Sequence, residues 1–151
     1  KKGEHKITNN VKKILNTEYS GKKLLSKLVD FSKKVSKSKL RINNLIYTYK
    51  LKGNKIVGIS APSRSSTLIN YLGLDENIID YICEVKGSLK IGKNIPGTNI
   101  PVVLEDRLYD DQPDVAIILS WHIAEDLMKI LRKKGFKGKF IIPLPNPAIF
   151  S

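Results

Sequence analysis

The sequence holds one cysteine, one methionine, one tryptophan and two histidines in 151 residues. A lone thiol, Cys83, allows no internal disulfide and no cysteine-built metal site. No apolar run approaches the roughly 18 residues that cross a bilayer, and no secretory leader pattern is visible. These absences lead us to expect a cytoplasmic globular protein that does not enter a membrane. A dinucleotide fingerprint is missing too, because Gly58 is not followed by the second and third glycines of that pattern. Met128 is the only methionine, so Lys1 is not expected to be a natural start. The chain reads as a fragment, a processed product or an excised domain.

What is present is a globular composition, 41% hydrophobic and 27% charged, long enough for one domain with a proper core. The formal charge is +13. It is unevenly spread: residues 1–55 carry 16 Lys/Arg against 3 Asp/Glu, and residues 56–151 carry 11 of each. The excess therefore belongs to the N-terminal third. Residues 1–10, with His5, show no hydrophobic period and read as a linker. Val11, Ile14 and Leu15 hint at a short helix. Leu24, Leu28, Phe31 and Val35 then recur at four- and three-residue spacing, continue through Leu45, Ile46 and Tyr49, and stop at Gly53. This predicts one helix of roughly 30 residues, about 45 Å, or two broken near Ser36–Ser38. Its lysines (22, 23, 27, 33, 34 and 37) lie mostly off the apolar stripe. A solvated face explains them, as charge patterning usually does; a surface for an acidic partner or polyanion is the rival. Tyr19, Phe31, Tyr47 and Tyr49 sit at core-like spacing rather than as a stacking platform, so nucleic acid is not the expected partner.

The stretch Lys55–Gly73, KIVGISAPSRSSTLINYLG, organises the rest. Ile56–Ile59 has the length and β-branching of a buried strand. Ser60 to Ser65 form a small-residue turn broken by Pro62, and helical spacing follows with Leu68, Ile69 and Leu72 before Gly73. A strand, a small-residue turn and a helix N-terminus together offer backbone amides and a positive dipole end to an anion. Arg64 adds a planar fork of donors. An ordinary turn with Ser65 or Ser66 as N-cap is the plainer reading.

Further on, Ile78–Glu84 reads as a second strand ending on an acid, and Val85–Gly97 as a long Lys- and Gly-containing loop. Ile100–Val103 reads as an edge strand, because Pro101 cannot donate to a central ladder. Asp106–Asp114 is an acidic connector, and Val115–Leu119 a buried strand. Ser120-Trp121-His122 precede a helix over about Ile123–Lys134, and Phe140–Ile142 make a last strand. Pro143, Pro145 and Pro147 are expected to end the sheet. The order predicts an α/β fold: a mostly parallel sheet of about five strands in residues 55–151, preceded by a linker and long basic helix in 1–54. Ligands of such sheets bind at strand carboxyl ends. That singles out Ser60–Thr67, then Glu84 as an acceptor for ribose or sugar hydroxyls or a solvated strand end, then Ser120-Trp121-His122, with Trp121 as a stacking ring or a core cap and His122 as a phosphate or proton-transfer group.

Four stretches carry a resemblance: GISAPSRSSTLINYLG, NIPGTNIPV, PDVAIILSWHIAEDL and FIIPLPNP. In this order, over about Asn10–Ile149, the chain resembles the C-terminal domain of the S-adenosylmethionine-dependent C-methyltransferases that act on nucleotide-linked deoxysugars. The resemblance implies a Rossmann-like domain that binds substrate without itself catalysing transfer. S-adenosylmethionine and zinc would belong to N-terminal parts outside this chain. The implied partners are a nucleotide-linked sugar and that missing methyltransferase domain, with a homodimer left open. The implied substrate-binding positions are Ser60, Ala61, Pro62, Ser63, Arg64, Ser65, Ser66, Thr67, Glu84, Thr98, Trp121 and His122. No catalytic residue is expected here; His122 is the one outside candidate. Two departures stand out. The family's turn reads Gly-Ala-x-x-Lys-Gly where this chain has Ser60-Ala61-Pro62-Ser63-Arg64-Ser65, and the family's Asp at the second strand end is Glu84. The alternative reading is a stand-alone interaction module that binds a polyanion or an acidic partner through the basic helix.

Overall fold

The computed structural model describes residues 7–18 and 21–151, with Lys22 described by its backbone alone. His5, Tyr19 and most of the expected linker lie outside the described residues. The chain divides into two compact units at Ser36/Lys37.

The first unit is helical. Helix α1 (Asn9–Thr17) starts at Thr8, whose hydroxyl accepts from the Val11 amide at 3.4 Å. Helix α2 (Gly21–Lys50) runs unbroken through Ser36–Ser38, so the 30-residue alternative is the one adopted. The Ser36 hydroxyl donates back to the Ser32 carbonyl at 3.2 Å, which lets a serine sit inside a helix without breaking it. Among the described residues no helix is long and apolar enough to cross a membrane.

The second unit is a six-stranded sheet in the order β3-β2-β1-β4-β5-β6. Its strands are β1 (Ile56–Ile59), β2 (Ile82–Glu84), β3 (Val102–Leu104), β4 (Val115–Ile118), β5 (Lys139–Ile142) and β6 (Ala148–Phe150). The first five are parallel, and β6 pairs antiparallel to β5, with Ile141 opposite Ile149. Period-two alternation splits the core in two. Ile56, Ile82, Val115, Ile117 and Ile141 face one way, against Ile42 and Ile46 of α2 and Leu68, Ile69 and Leu72 of α3 (Ser63–Leu72). Val57, Ile59, Cys83, Ala116, Ile118 and Phe140 face the other. They meet Leu108 of α4 (Asp106–Asp111) and Ala124 and Leu131 of α5 (Ala124–Lys133). A β-carbon on Gly58 would stand 2.7 Å from Ile82 Cγ1 and 3.0 Å from Leu119 Cδ1. The sheet therefore needs glycine at that place.

Four boundaries differ from expectation, each for a local reason. The second strand begins at Ile82 because Asp75 accepts from the Ile78 and Ile79 amides and bends the chain into a turn. The acidic connector is the short helix α4. The loop after β2 is a run of turns laced to β3, with the Gly92 amide on Val102 O and the Val102 amide on Lys93 O. The prolines do not end the sheet. A turn with a cis Leu144–Pro145 bond reverses the chain, and the proline-free Ala148–Phe150 adds as the edge strand β6.

Candidate functional site

The strand order reverses between β1 and β4, so their carboxyl ends diverge into the crevice where open α/β sheets hold ligands. Ser60 leaves β1 with φ at 69°, a left-handed conformation that glycine adopts without cost. Ser60 Oγ lies 2.8 Å from Ser120 Oγ, so a hydroxyl pair clasps the two diverging strand ends. Ser120, expected at a strand carboxyl end with Trp121 and His122 but given no role of its own, takes one here. The signal for it was its place directly after a buried strand, as Ser60 stands after the neighbouring one.

The next peptide is held from both sides. The Ala61 amide donates to Glu84 Oε1 at 2.6 Å, and Lys90 Nζ donates to the Ala61 carbonyl. Glu84 thus uses one carboxylate oxygen to shape the turn. Lys90 turns the basic loop after β2 into a support for the same turn. Helix α3 starts at Ser63, with Pro62 as N-cap. Ser65 and Ser66 are inside its first turn rather than caps; their hydroxyls donate to the Pro62 and Ser63 carbonyls at 2.7 and 2.8 Å. Ser65 is buried, and Thr67 follows one residue further into the helix.

Arg64 reaches across the crevice. Its guanidinium carbon stands 4.9 Å from the Trp121 ring centroid, a cation–π stack. Its Nη2 lies 2.5 Å from Nδ1 and 3.0 Å from Nε2 of His122, so the arginine donates to the imidazole. Trp121 and His122 form a single 3-10 turn between β4 and α5. Two distant stretches are brought together here, Arg64 from one and Trp121 and His122 from the other.

Two hollows flank them. One, about 300 Å³, is lined by Ala61, Pro62, Ser63, Ser65 and Ser66 on one side and by Lys90, Lys93, Asn94, Ile95, Pro96 and Val102 on the other. The other, about 340 Å³, is lined by Trp121 and His122, by Glu125 and Asp126 of α5, and by Ile142, Leu144 and Pro145. Thr98 lines neither. Its hydroxyl donates to Ile95 O at 3.0 Å and accepts the Ile100 amide at 3.2 Å, closing its own turn. Among the described residues no group of three or more His, Cys, Asp or Glu could hold a metal ion. The one thiol, Cys83, is buried on the far face of the sheet, and burial pushes its pKa up to about 12.

A mostly parallel six-stranded sheet flanked by helices, with its strand order reversing between β1 and β4, defines a Rossmann-like α/β domain. A family model described as the C-methyltransferase C-terminal domain matches residues 1–145, and the chain belongs to that family. It is also similar to the C-methyltransferase NovU of Streptomyces niveus, 28% identical over 125 residues. That match covers 81% of this chain and 29% of the relative, so the chain spans under a third of that protein's length.

Proposed function

We propose that this chain is the substrate-holding, non-catalytic domain of a C-methyltransferase and that its ligand is a nucleotide-linked sugar. The observation that carries the reading is the placement of Arg64. It is a planar, always-charged donor fork stacked on Trp121 beside the first turn of α3. Lys90 and Lys93 add positive charge to the hollow on the same turn, and Ser63 and Ser66 add hydroxyls. A diphosphate suits the helix end and the basic groups. The Trp121 face and the apolar walls at Ile142 and Leu144 suit a flat base or a deoxysugar ring. The second hollow carries carboxylates at Glu125 and Asp126, which accept from ring hydroxyls.

In this reading S-adenosylmethionine and zinc are held by other parts of the enzyme, and methyl transfer is done there. The role of this domain is to bind and orient. Nothing among Arg64, Trp121 and His122 is assigned a proton transfer.

Calorimetric titration of the chain with nucleoside-diphosphate hexoses tests this. Binding is expected, and Arg64→Ala should weaken it by about tenfold or more, the loss of one charged hydrogen-bonding partner. Wild-type affinity unchanged by Arg64→Ala, or methyl transfer from S-adenosylmethionine by this chain alone, overturns the proposal.

A further inference from the structure

Arg64 stands in the first turn of α3 and is exposed. An exposed arginine samples many rotamers, and fixing it on an anion costs part of that freedom. Here the side chain is fixed before any ligand arrives. The face of its guanidinium lies on Trp121, and its Nη2 is within hydrogen-bonding distance of the His122 ring nitrogens. Nε and Nη1 make no hydrogen bond among the described residues. The guanidinium is therefore anchored by one face and one nitrogen, with the rest of its donors open.

The anchors are fixed in turn. Trp121 and His122 ride on a single 3-10 turn, closed by the Ile123 amide on Ser120 O at 3.0 Å. Ser120 is clasped to Ser60, at the start of the turn that leads into α3. The segment that carries Arg64 and the segment that carries His122 are thus tied at their bases. Ser63 and Ser65, beside Arg64 in the chain, line the first hollow, and its partners Trp121 and His122 line the second. Exposed contacts of this kind add little to fold stability. Their effect is on where the guanidinium stands.

We propose that His122 is a positioning residue for Arg64. It holds the guanidinium on Trp121, so that Nε and Nη1 meet a phosphate of the ligand already oriented. The inference rests on the reading that Arg64 contacts a phosphate of the substrate. It gives His122 no contact with the ligand and no proton to move.

A double-mutant cycle read with two probes tests it. Inorganic pyrophosphate, titrated into the chain by calorimetry, reports on the phosphate contact; a nucleoside-diphosphate hexose reports on the whole site. Arg64 and His122 are both exposed, so replacing them leaves the core intact. His122→Ala should weaken pyrophosphate binding roughly three- to tenfold, the effect of freeing one long side chain. His122→Gln, which keeps an acceptor, should stay close to wild type. In the Arg64→Ala background His122→Ala should cost nothing further, because the two act as one unit. In the free chain the NMR order parameter of the Arg64 Nε–H group should fall in His122→Ala and be kept in His122→Gln. Additive losses in the cycle overturn the proposal, since His122 then touches the ligand itself. So does affinity that is unchanged or higher in His122→Ala, an Arg64 Nε–H equally mobile in wild type and His122→Ala, or a wild-type chain that binds no pyrophosphate. Pyrophosphate that follows the cycle while the hexose binds no tighter than pyrophosphate sinks the nucleotide-sugar reading and leaves the positioning of Arg64 standing.

Discussion

Glu84, at the end of β2, spends a carboxylate oxygen on the backbone amide of Ala61, 2.6 Å away in the turn after β1. An acid at this place in dinucleotide folds commonly binds a ribose hydroxyl; here one oxygen is committed to the protein itself. Glu84→Ala should therefore cost stability, because the amide loses its partner: about 1–3 kcal/mol, or several degrees in Tm for a domain of this size. Glu84→Gln keeps an acceptor and should cost less. Equal, negligible effects in a thermal melt would show that the bond shapes nothing.

Ser60 balances two opposed terms. Its left-handed φ of 69° costs about 1 kcal/mol or more for a non-glycine residue. Its hydroxyl bond to Ser120 returns about as much. Ser60→Gly should leave Tm within a few degrees of wild type. Ser120→Ala, which removes the bond and keeps the strain, should lower it by about 1 kcal/mol. In the Ser60→Gly background Ser120→Ala should cost almost nothing more, and a full additive loss there would disprove the clasp.

Asp111 links folding to acid. The Lys55 ammonium, 2.6 Å from its Oδ2, holds the carboxyl below the ordinary aspartate range. A carboxyl depressed in the folded state adds stability above its unfolded pKa, and that stability is lost as pH falls through the folded value. Both side chains are partly open to solvent, so the pair contributes under about 1 kcal/mol. Melts from about pH 6 to pH 2 should show Lys55→Met shrinking the acid-side loss of Tm relative to wild type. A variant as acid-sensitive as wild type would assign the loss to other carboxylates.

Cys83 should be silent in the native protein. It is 2% exposed, and its thiol pKa is pushed up to about 12 by burial, leaving little thiolate near neutral pH. A thiol-reactive dye at pH 8 should label nothing until denaturant is added, and then one site per chain. Prompt labelling of the folded chain would contradict its burial.

The sheet was legible because runs such as Val115–Leu119 and Ile56–Ile59 are short, β-branched and bounded by turn residues. Helix α2 was legible from its stripe, and Ser36 is tolerated inside it because its hydroxyl bonds back to the Ser32 carbonyl. Strand β6 was not. The prolines occupy the reversal itself, and the strand resumes on the three residues after Pro147. At the site, Arg64, Trp121 and His122 were readable from their places at strand ends. The partners of Ala61 were not, because a hydrogen bond from Lys90 across 29 residues leaves no mark in local pattern. Thr98 belongs to a recognisable motif, but the structure spends its hydroxyl on the turn that contains it.

The Ala61 peptide is gripped by side chains from two other segments, and its neighbour Ser60 by a third. None of these segments can hold the turn in shape by itself. The shape of the hollow over α3 therefore depends on β2, the loop after it and the end of β4 together. Heat or denaturant should erase the hollow and the sheet at one midpoint, and a hollow that melts ahead of its strands is foreign to this architecture.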